Sequence, residues 1–319
     1  MGSYRKENLV MDKELENKLK YLINKKRTLQ EICAELELKD YEVIGLVQLL
    51  KDNGFLVDYK NGAIIKLNKP IQENDIYHVN TTKTHLKLLH ISDTHLCSKY
   101  DRLDILRYLY DKAEDMQVDA VLHSGDFTDG HKKSRQEHAY ELRCVAFDEQ
   151  VDYCVQKYPQ FSGKTYVISG NHDDWHYKNN GSDIIRSIAA KREDIVYLGQ
   201  DVADMTLGGL KLRLFHGNGG SSYAKSYKIQ KYLDAIPIED RPDILQTGHI
   251  HQAFYFKQDH THCIQTGCLE DLTPFCKSLG LAGDKSVWWS EIELDDHGKV
   301  HSITPTLEEF KQKRLIKRR

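Results

Sequence analysis

From His85 onward the sequence alternates short apolar runs with amphipathic stretches, and few folds satisfy that rhythm. HLKLLHIS, DAVLHSG, KTYVISG, IVYLG, LKLRLFHG and PDILQTG are each five to eight residues long. They are rich in Val, Ile and Leu and are closed by Gly, Ser or His. Runs of that length and composition read as strands, and the segments between them have helical periodicity. Strand alternating with helix implies an α/β domain with a layered sheet. The late segments AFYFKQ, HCIQTG, SVWWSEIELD and KVHSITP follow one another as strands, so the sheet is expected to be mixed.

The first part of the chain has a different pattern. Leu15, Leu19, Leu22 and Ile23 fall at helical spacing. Thr28 opens a second helix with Glu31 three residues on, the capping-box spacing. Asp40 opens a third, with a stripe of Val43, Ile44, Val47 and Leu50 that stops at Asn53-Gly54. FLVDYKNGAIIKL then carries Asn61-Gly62 between two apolar runs, a hairpin signal. Three short helices and a hairpin resemble a winged-helix domain, in which the third helix enters the DNA major groove. The expected organisation is a winged-helix-like domain over 1–70 and a linker over 71–84. An α/β domain follows over 85–306, with a basic tail over 307–319. Residues 1–80 hold thirteen basic and thirteen acidic residues, so the N-terminal domain has no electrostatic signature for DNA. The tail does, with six basic residues among the nine of KQKRLIKRR.

Other classes are excluded more simply. No apolar run approaches the ~20 residues of a membrane span, and the charged N-terminus lacks the apolar core of a signal peptide. Seven cysteines without a C-x-x-C pair suit free thiols in a reducing compartment, so a cytoplasmic protein is expected.

The strand ends carry the chemistry. The first gives Asp93 and His95, the second Asp126 with Asp129 three residues later, and the third Asn171-His172-Asp173. Later ends give His216, then His249 and His251. Loops that follow strand C-termini gather at one edge of an α/β sheet, so these ends can meet although some 160 residues separate them. Carboxylate, imidazole and amide oxygen together suit a first-row divalent ion such as manganese, iron or zinc. Seven such groups are too many for one ion and suit two, with one carboxylate shared.

The ordered series D-x-H, G-D-x-x-D, G-N-H-D, H-G and G-H-x-H over residues ~86–256 resembles the calcineurin-like metallophosphoesterases. These include protein phosphatases, cyclic-nucleotide phosphodiesterases and double-strand-break repair exonucleases. The resemblance implies a layered sandwich of mixed sheets flanked by helices. It also implies one metal on Asp93, His95 and His251, a second on Asn171, His216 and His249, and Asp126 bridging them. Phosphodiester hydrolysis by a hydroxide bridging the metals would follow. His172 would serve the leaving oxygen and Asp129 would orient it, as in the phosphatase branch. Mn2+ is the first choice of metal. Ten further histidines, His123 and His138 among them, receive no role, and His90 reads as a core residue.

Substrate contacts are sought next to the ligands. After His216 a glycine-rich turn leads to a helix that offers Asn218, Tyr223, Lys225 and Tyr227 to a phosphate or base. Trp175 and Tyr177, beside His172, could stack on a base. The resulting expectation is a nuclease acting on DNA, with nucleic acid as partner. The alternative is a phosphomonoesterase or small-nucleotide phosphodiesterase with a regulatory N-terminal domain. The sequence leaves the oligomeric state open.

Overall fold

The structure, a computed structural model, describes residues 13–25, 27–52, 57–60, 63–66, 76–217, 219 and 224–311. The chain divides into two compact units, Met1–Glu73 and Asn74–Arg319.

In the first unit, α1 (Lys13–Asn24), α2 (Leu29–Leu36) and α3 (Asp40–Asp52) precede an antiparallel pair, β1 (Val57–Lys60) and β2 (Ala63–Lys66). Their core is Leu19, Leu22, Ile32, Val43, Leu46, Leu50 and Val57. The expected capping box forms: Thr28 Oγ1 accepts from Glu31 N at 3.2 Å, and Glu31 Oε2 accepts from Thr28 N at 2.8 Å. The Asn53-Gly54 stop and the Asn61-Gly62 turn lie outside the described residues.

The second unit is built on two six-stranded mixed sheets. Its strands are β3 (Tyr77–Val79), β4 (His85–Ile91), β5 (Ala120–His123), β6 (Lys164–Ser169), β7 (Ile195–Gln200), β8 (Val202–Leu207) and β9 (Leu210–Phe215). They continue as β10 (Ile244–Thr247), β11 (Phe254–Gln258), β12 (Thr261–Gln265), β13 (Ser286–Leu294) and β14 (Val300–Glu309). The helices are α4 (Leu103–Asp115), α5 (Phe147–Lys157), α6 (Asp174–Asn180), α7 (Ile184–Ala189), α8 (Tyr227–Asp234) and α9 (Pro274–Ser278). One sheet runs β14-β13-β4-β5-β6-β7, with β4 through β7 parallel. The other runs β11-β12-β10-β9-β8-β3, with β12, β10 and β9 parallel.

Alternation along the strands explains the layers. Leu86 and Leu88 turn inward with Leu122 and Ile168 to meet Met205, Leu212, Leu214 and Ile264 of the facing sheet. Leu89, Ile91, Val121 and Val167 turn outward onto α4, α5 and α7. On the far side, Ile229 and Leu233 of α8 cover Leu245 and Cys263. The unit is thus a sandwich of mixed sheets flanked by helices.

A polar bridge crosses the apolar layer between the sheets. His90 Nδ1 donates to Gln246 Oε1 at 2.8 Å, and Ser290 Oγ donates to His90 Nε2 at 2.7 Å. Gln246 Nε2 in turn donates to the carbonyls of Ile91 and Leu122. Burial pushes His90 down to about 4, so the ring is neutral and fully bonded.

Two expected boundaries move. Part of the stretch 71–84 read as a linker is β3, a parallel edge strand on Met205–Leu207 of β8. The tail read from 307 begins later, because Leu307, Glu308 and Glu309 complete β14 against β13. Glu308 accepts from Trp289 Nε1 at 2.7 Å and Lys112 Nζ at 2.9 Å, which fixes that end. Residues 312–319 of the basic tail lie outside the described residues.

Candidate metal centre

The C-terminal ends of β4, β5 and β6 in one sheet and of β9 and β10 in the other open onto a cleft of about 540 Å3. Asp93, His95, Asp126, His249 and His251 all have left-handed backbone, with φ between 44° and 75°. That conformation costs a residue other than glycine about 1–2 kcal/mol. Its recurrence at five ligand candidates is the kind of strain that a functional constellation retains. Gly170 is required for closeness, since a Cβ there would overlap Asp126 Oδ1 and the Asp126 backbone nitrogen.

Two donor groups form. In the first, His251 Nε2 lies 3.2 Å from Asp93 Oδ1 and 3.1 Å from His95 Nε2. In the second, His216 Nε2 lies 3.2 Å from Asp126 Oδ2 and 3.1 Å from Asn171 Oδ1. His249 joins Asp126 and His216 there. Asp126 stands between the groups, with Oδ2 also 4.0 Å from His95 Nε2. The structure therefore brings together all seven ligand candidates read from the sequence.

Tautomers can be assigned from the outer partners. His216 Nδ1 donates to the Ser124 carbonyl at 2.8 Å, and His95 Nδ1 donates to Asp129 Oδ1 at 3.2 Å. With Nδ1 so committed, Nε2 is the nitrogen each ring has left for a metal, and it faces carboxylate or amide oxygens or another imidazole nitrogen. Acceptors facing acceptors at 3.1–3.2 Å repel unless a cation lies among them. His249 Nε2 donates to the Gly219 carbonyl at 2.9 Å, which leaves Nδ1 as its ligand atom. Burial opposes the charge on Asp93, but His251 and His216 outweigh it and hold the carboxyl at about 2. Asp126 is likewise well below the usual range: burial raises it, and His216 and His172 lower it further. Burial pulls His216 down, yet Asp126 prevails and pushes it up to about 10. A field that holds a proton this firmly suits a divalent cation, and the mixed N/O donor set fits a first-row metal.

Around the ligands, Asp129 gathers three imidazoles. Its Oδ1 accepts from His172 Nδ1 at 2.9 Å and from His95 Nδ1, and its Oδ2 accepts from His138 Nε2 at 3.3 Å. His138 Nδ1 accepts from the backbone N–H of Lys132 at 3.0 Å, which makes Nε2 the protonated nitrogen. The His172 ring packs against Trp175 with centroids 3.9 Å apart. For His172, burial lowers the pKa and the Asp126 and Asp129 carboxylates raise it, with a net rise.

Three buried groups received no role from the sequence, although Asp173 stands in the G-N-H-D motif. His138 has no fixed spacing from a motif and reaches Asp129 from the β5–α5 loop. Asp173 accepts from the Phe127, Thr128 and Gly170 amides and stitches the β5 loop to the β6 loop. Burial and the Asp126 charge push Asp173 up to about 7. Glu270 accepts from Ser98 Oγ at 2.5 Å beside Asp129, and burial raises it well above the carboxylate range. Of the proposed substrate contacts, Trp175 lines the cleft, whereas Lys225 and Tyr227 do not. Tyr227 begins α8, whose packing on the outer face of the second sheet carries it away. Asn218 and Tyr223 lie outside the described residues. Tyr177 is exposed and does not line the cleft.

The profile of the calcineurin-like phosphoesterase superfamily domain matches residues 86–275, and the chain belongs to that superfamily of phosphoester hydrolases. A comparison with curated proteins found no match. Among solved structures, the chain is similar to an archaeal phosphodiesterase at 17% identity and a TM-score of 0.41. That similarity covers 70% of this chain and 100% of the other. Vps29 from Entamoeba histolytica, solved with Zn2+, is 15% identical, with 71% and 100% of the two chains covered and a TM-score of 0.33. A predicted phosphoesterase from Streptococcus pneumoniae is 16% identical, with 71% and 100% covered and a TM-score of 0.37. Among the described residues, no helix is long and apolar enough to cross a membrane.

Proposed function

We propose that the chain is a two-metal phosphodiesterase acting on nucleic acid, a nuclease whose preferred metal is Mn2+, with Fe or Zn as alternatives. The observation that carries the two-metal reading is the shared place of Asp126, within 4.0 Å of His95 Nε2 in one donor group and 3.2 Å of His216 Nε2 in the other. Asp93, His95 and His251 would hold one ion, Asn171, His216 and His249 the second, and Asp126 both. Bound there, the ions supply Lewis-acid charge for a phosphoryl group and make water more acidic.

The chain's own residues do the rest. His172, with Nδ1–H fixed by Asp129, presents Nε2 to the cleft and gives a proton to the departing oxygen. Asp129 holds that tautomer and, through His95, orients a ligand as well. Trp175 screens one face of His172 from water. Residues 85–306 form the catalytic part in this reading. Residues 1–70 serve as the winged-helix docking part, a role supported by the order of three helices and hairpin. Tyr41 on α3 is exposed where a recognition helix needs side chains.

One observation favours a second reading, a small-nucleotide phosphodiesterase or phosphomonoesterase. The cleft volume is that of a site for one small molecule. The test is incubation of the manganese-loaded protein with end-labelled single- and double-stranded DNA, beside Asp126→Asn. Cleavage by the wild type alone supports the nuclease. Intact DNA with continuing turnover of a generic phosphodiester would move the substrate to small nucleotides.

A further inference from the structure

We infer that Lys132 and Arg135 form a subsite for a second phosphate, carried by the leaving group of the scissile ester. The inference rests on the assignment of His172 to the leaving-oxygen side of the proposed phosphoesterase site. Both cations lie on the loop after β5, and both line the cleft. His138 ties that loop to the centre: its ring accepts from the Lys132 N–H and donates to Asp129. The cations are therefore held in register with Asp129 and His172, although neither contacts a ligand of the metal centre.

Their surroundings point to an anion. Arg135 donates from one terminal nitrogen to Glu141 at 2.6 Å, and its guanidinium lies 4.4 Å from the Phe275 ring centroid. Its Nε is buried with no hydrogen-bond partner. A buried guanidinium N–H without an acceptor is rare and costly, and a ligand oxygen would satisfy it. Lys132 Nζ stands 5.7 Å above the Trp175 ring, and no carboxylate among the described residues pairs with it. Nearby acids do not cancel these charges. Asp271 is already held by Arg102 and Lys285. Glu141 pairs with Arg135, which leaves the Lys132 charge without a carboxylate partner among the described residues.

Position selects the leaving-group side. Trp175 is near both groups, with Lys132 Nζ 5.7 Å and the His172 ring 3.9 Å from its ring centroid. An anion at Lys132 is thus next to the Trp175–His172 pair, and His172 is the group assigned to the departing oxygen. The cleft is large enough for more than one phosphate. The same chemistry occurs in the next phosphate of a nucleic-acid strand and in the inner phosphate of a free nucleoside diphosphate.

The test compares paired substrates within each protein, so that a general loss of activity cancels. Manganese-loaded wild type, Lys132→Ala and Lys132→Ala/Arg135→Ala are assayed on pTpTp against TpT for the strand source. ADP against AMP serves for the free-nucleotide source. Binding of pTpTp and TpT to Asp126→Asn, with and without Lys132→Ala, gives the same ratio without turnover. Wild type should prefer pTpTp, whose two terminal phosphates leave one on the departing fragment whichever oxygen leaves, and ADP, by roughly tenfold or more, the worth of one charge-assisted contact. The source that shows the preference identifies the ligand. Lys132→Ala, a change at an exposed side chain, should shrink the ratio severalfold, and the double variant should bring it near one. A ratio near one in the wild type for both pairs, or a ratio that survives in the variants, overturns the subsite. Failure of the phosphoesterase reading would show separately, as equal hydrolysis of bis(4-nitrophenyl) phosphate by wild type and Asp126→Asn.

Discussion

Asp129→Asn isolates the part of catalysis that belongs to the leaving group. The substitution keeps the shape and removes the charge. Asp129 accepts from three imidazole N–H groups, two on Oδ1 and one on Oδ2. An asparagine must turn its NH2 toward one of those sides and meet a donor there. His138 cannot respond by changing tautomer, because its Nδ1 already accepts from Lys132 N–H. At least one buried donor is left unpaired, at about 1–3 kcal/mol. His172 also loses the anion that raises its proton affinity. Proton donation by such a group is worth ~10²–10⁴ in rate, so kcat should fall by about a hundredfold or more for a substrate with an alkoxide leaving group. A 4-nitrophenolate leaves without a proton, so bis(4-nitrophenyl) phosphate should lose only about tenfold or less. The assay is kcat for that ester and for TpT, on wild type and variant. Equal losses on both substrates would refute the reasoning and place the effect of Asp129 on the ligand His95 instead.

Two further outcomes follow from packing and burial. Gly170→Ala drives a methyl group into Asp126, so metal affinity should drop at least tenfold and stability by about 1–3 kcal/mol; wild-type affinity in a manganese titration contradicts this. His90 is held at about 4 when folded, below the ~6.5 of an unfolded histidine. Between those values the unfolded chain binds the extra proton. His90 therefore contributes stability that is full above pH ~6.5 and is lost as pH falls toward 4, about 3 kcal/mol in all. Guanidinium unfolding should show a shallower acid slope in His90→Gln than in wild type; identical slopes would exclude that role for His90.

The ligands were legible because each sits one to five residues past an apolar run, and topology alone brings parallel strand ends to one edge. Cores and layers were legible for the same reason, through the alternation of Leu86 and Leu88 against Leu89 and Ile91. Edges were not. β3 is three residues long and largely exposed, with no apolar run to mark it. β14 alternates polar and apolar residues and contains Pro305, which only an edge strand tolerates easily. The residues around the ligands were hidden for another reason. His138 and Glu270 reach Asp129 along loops whose course no local spacing encodes. Lys225 and Tyr227 were placed near the site by sequence proximity to His216, and the docking of α8 through Ile229 and Leu233 decided otherwise.

Manganese binding followed by electron paramagnetic resonance tests the centre most directly. Wild-type protein should take up two ions per chain with exchange-coupled spins, because one carboxylate links them. Asp126→Asn should lose the coupling and bind one ion or none. A single site per chain, or two uncoupled ions that Asp126→Asn leaves undisturbed, would contradict the shared-carboxylate centre.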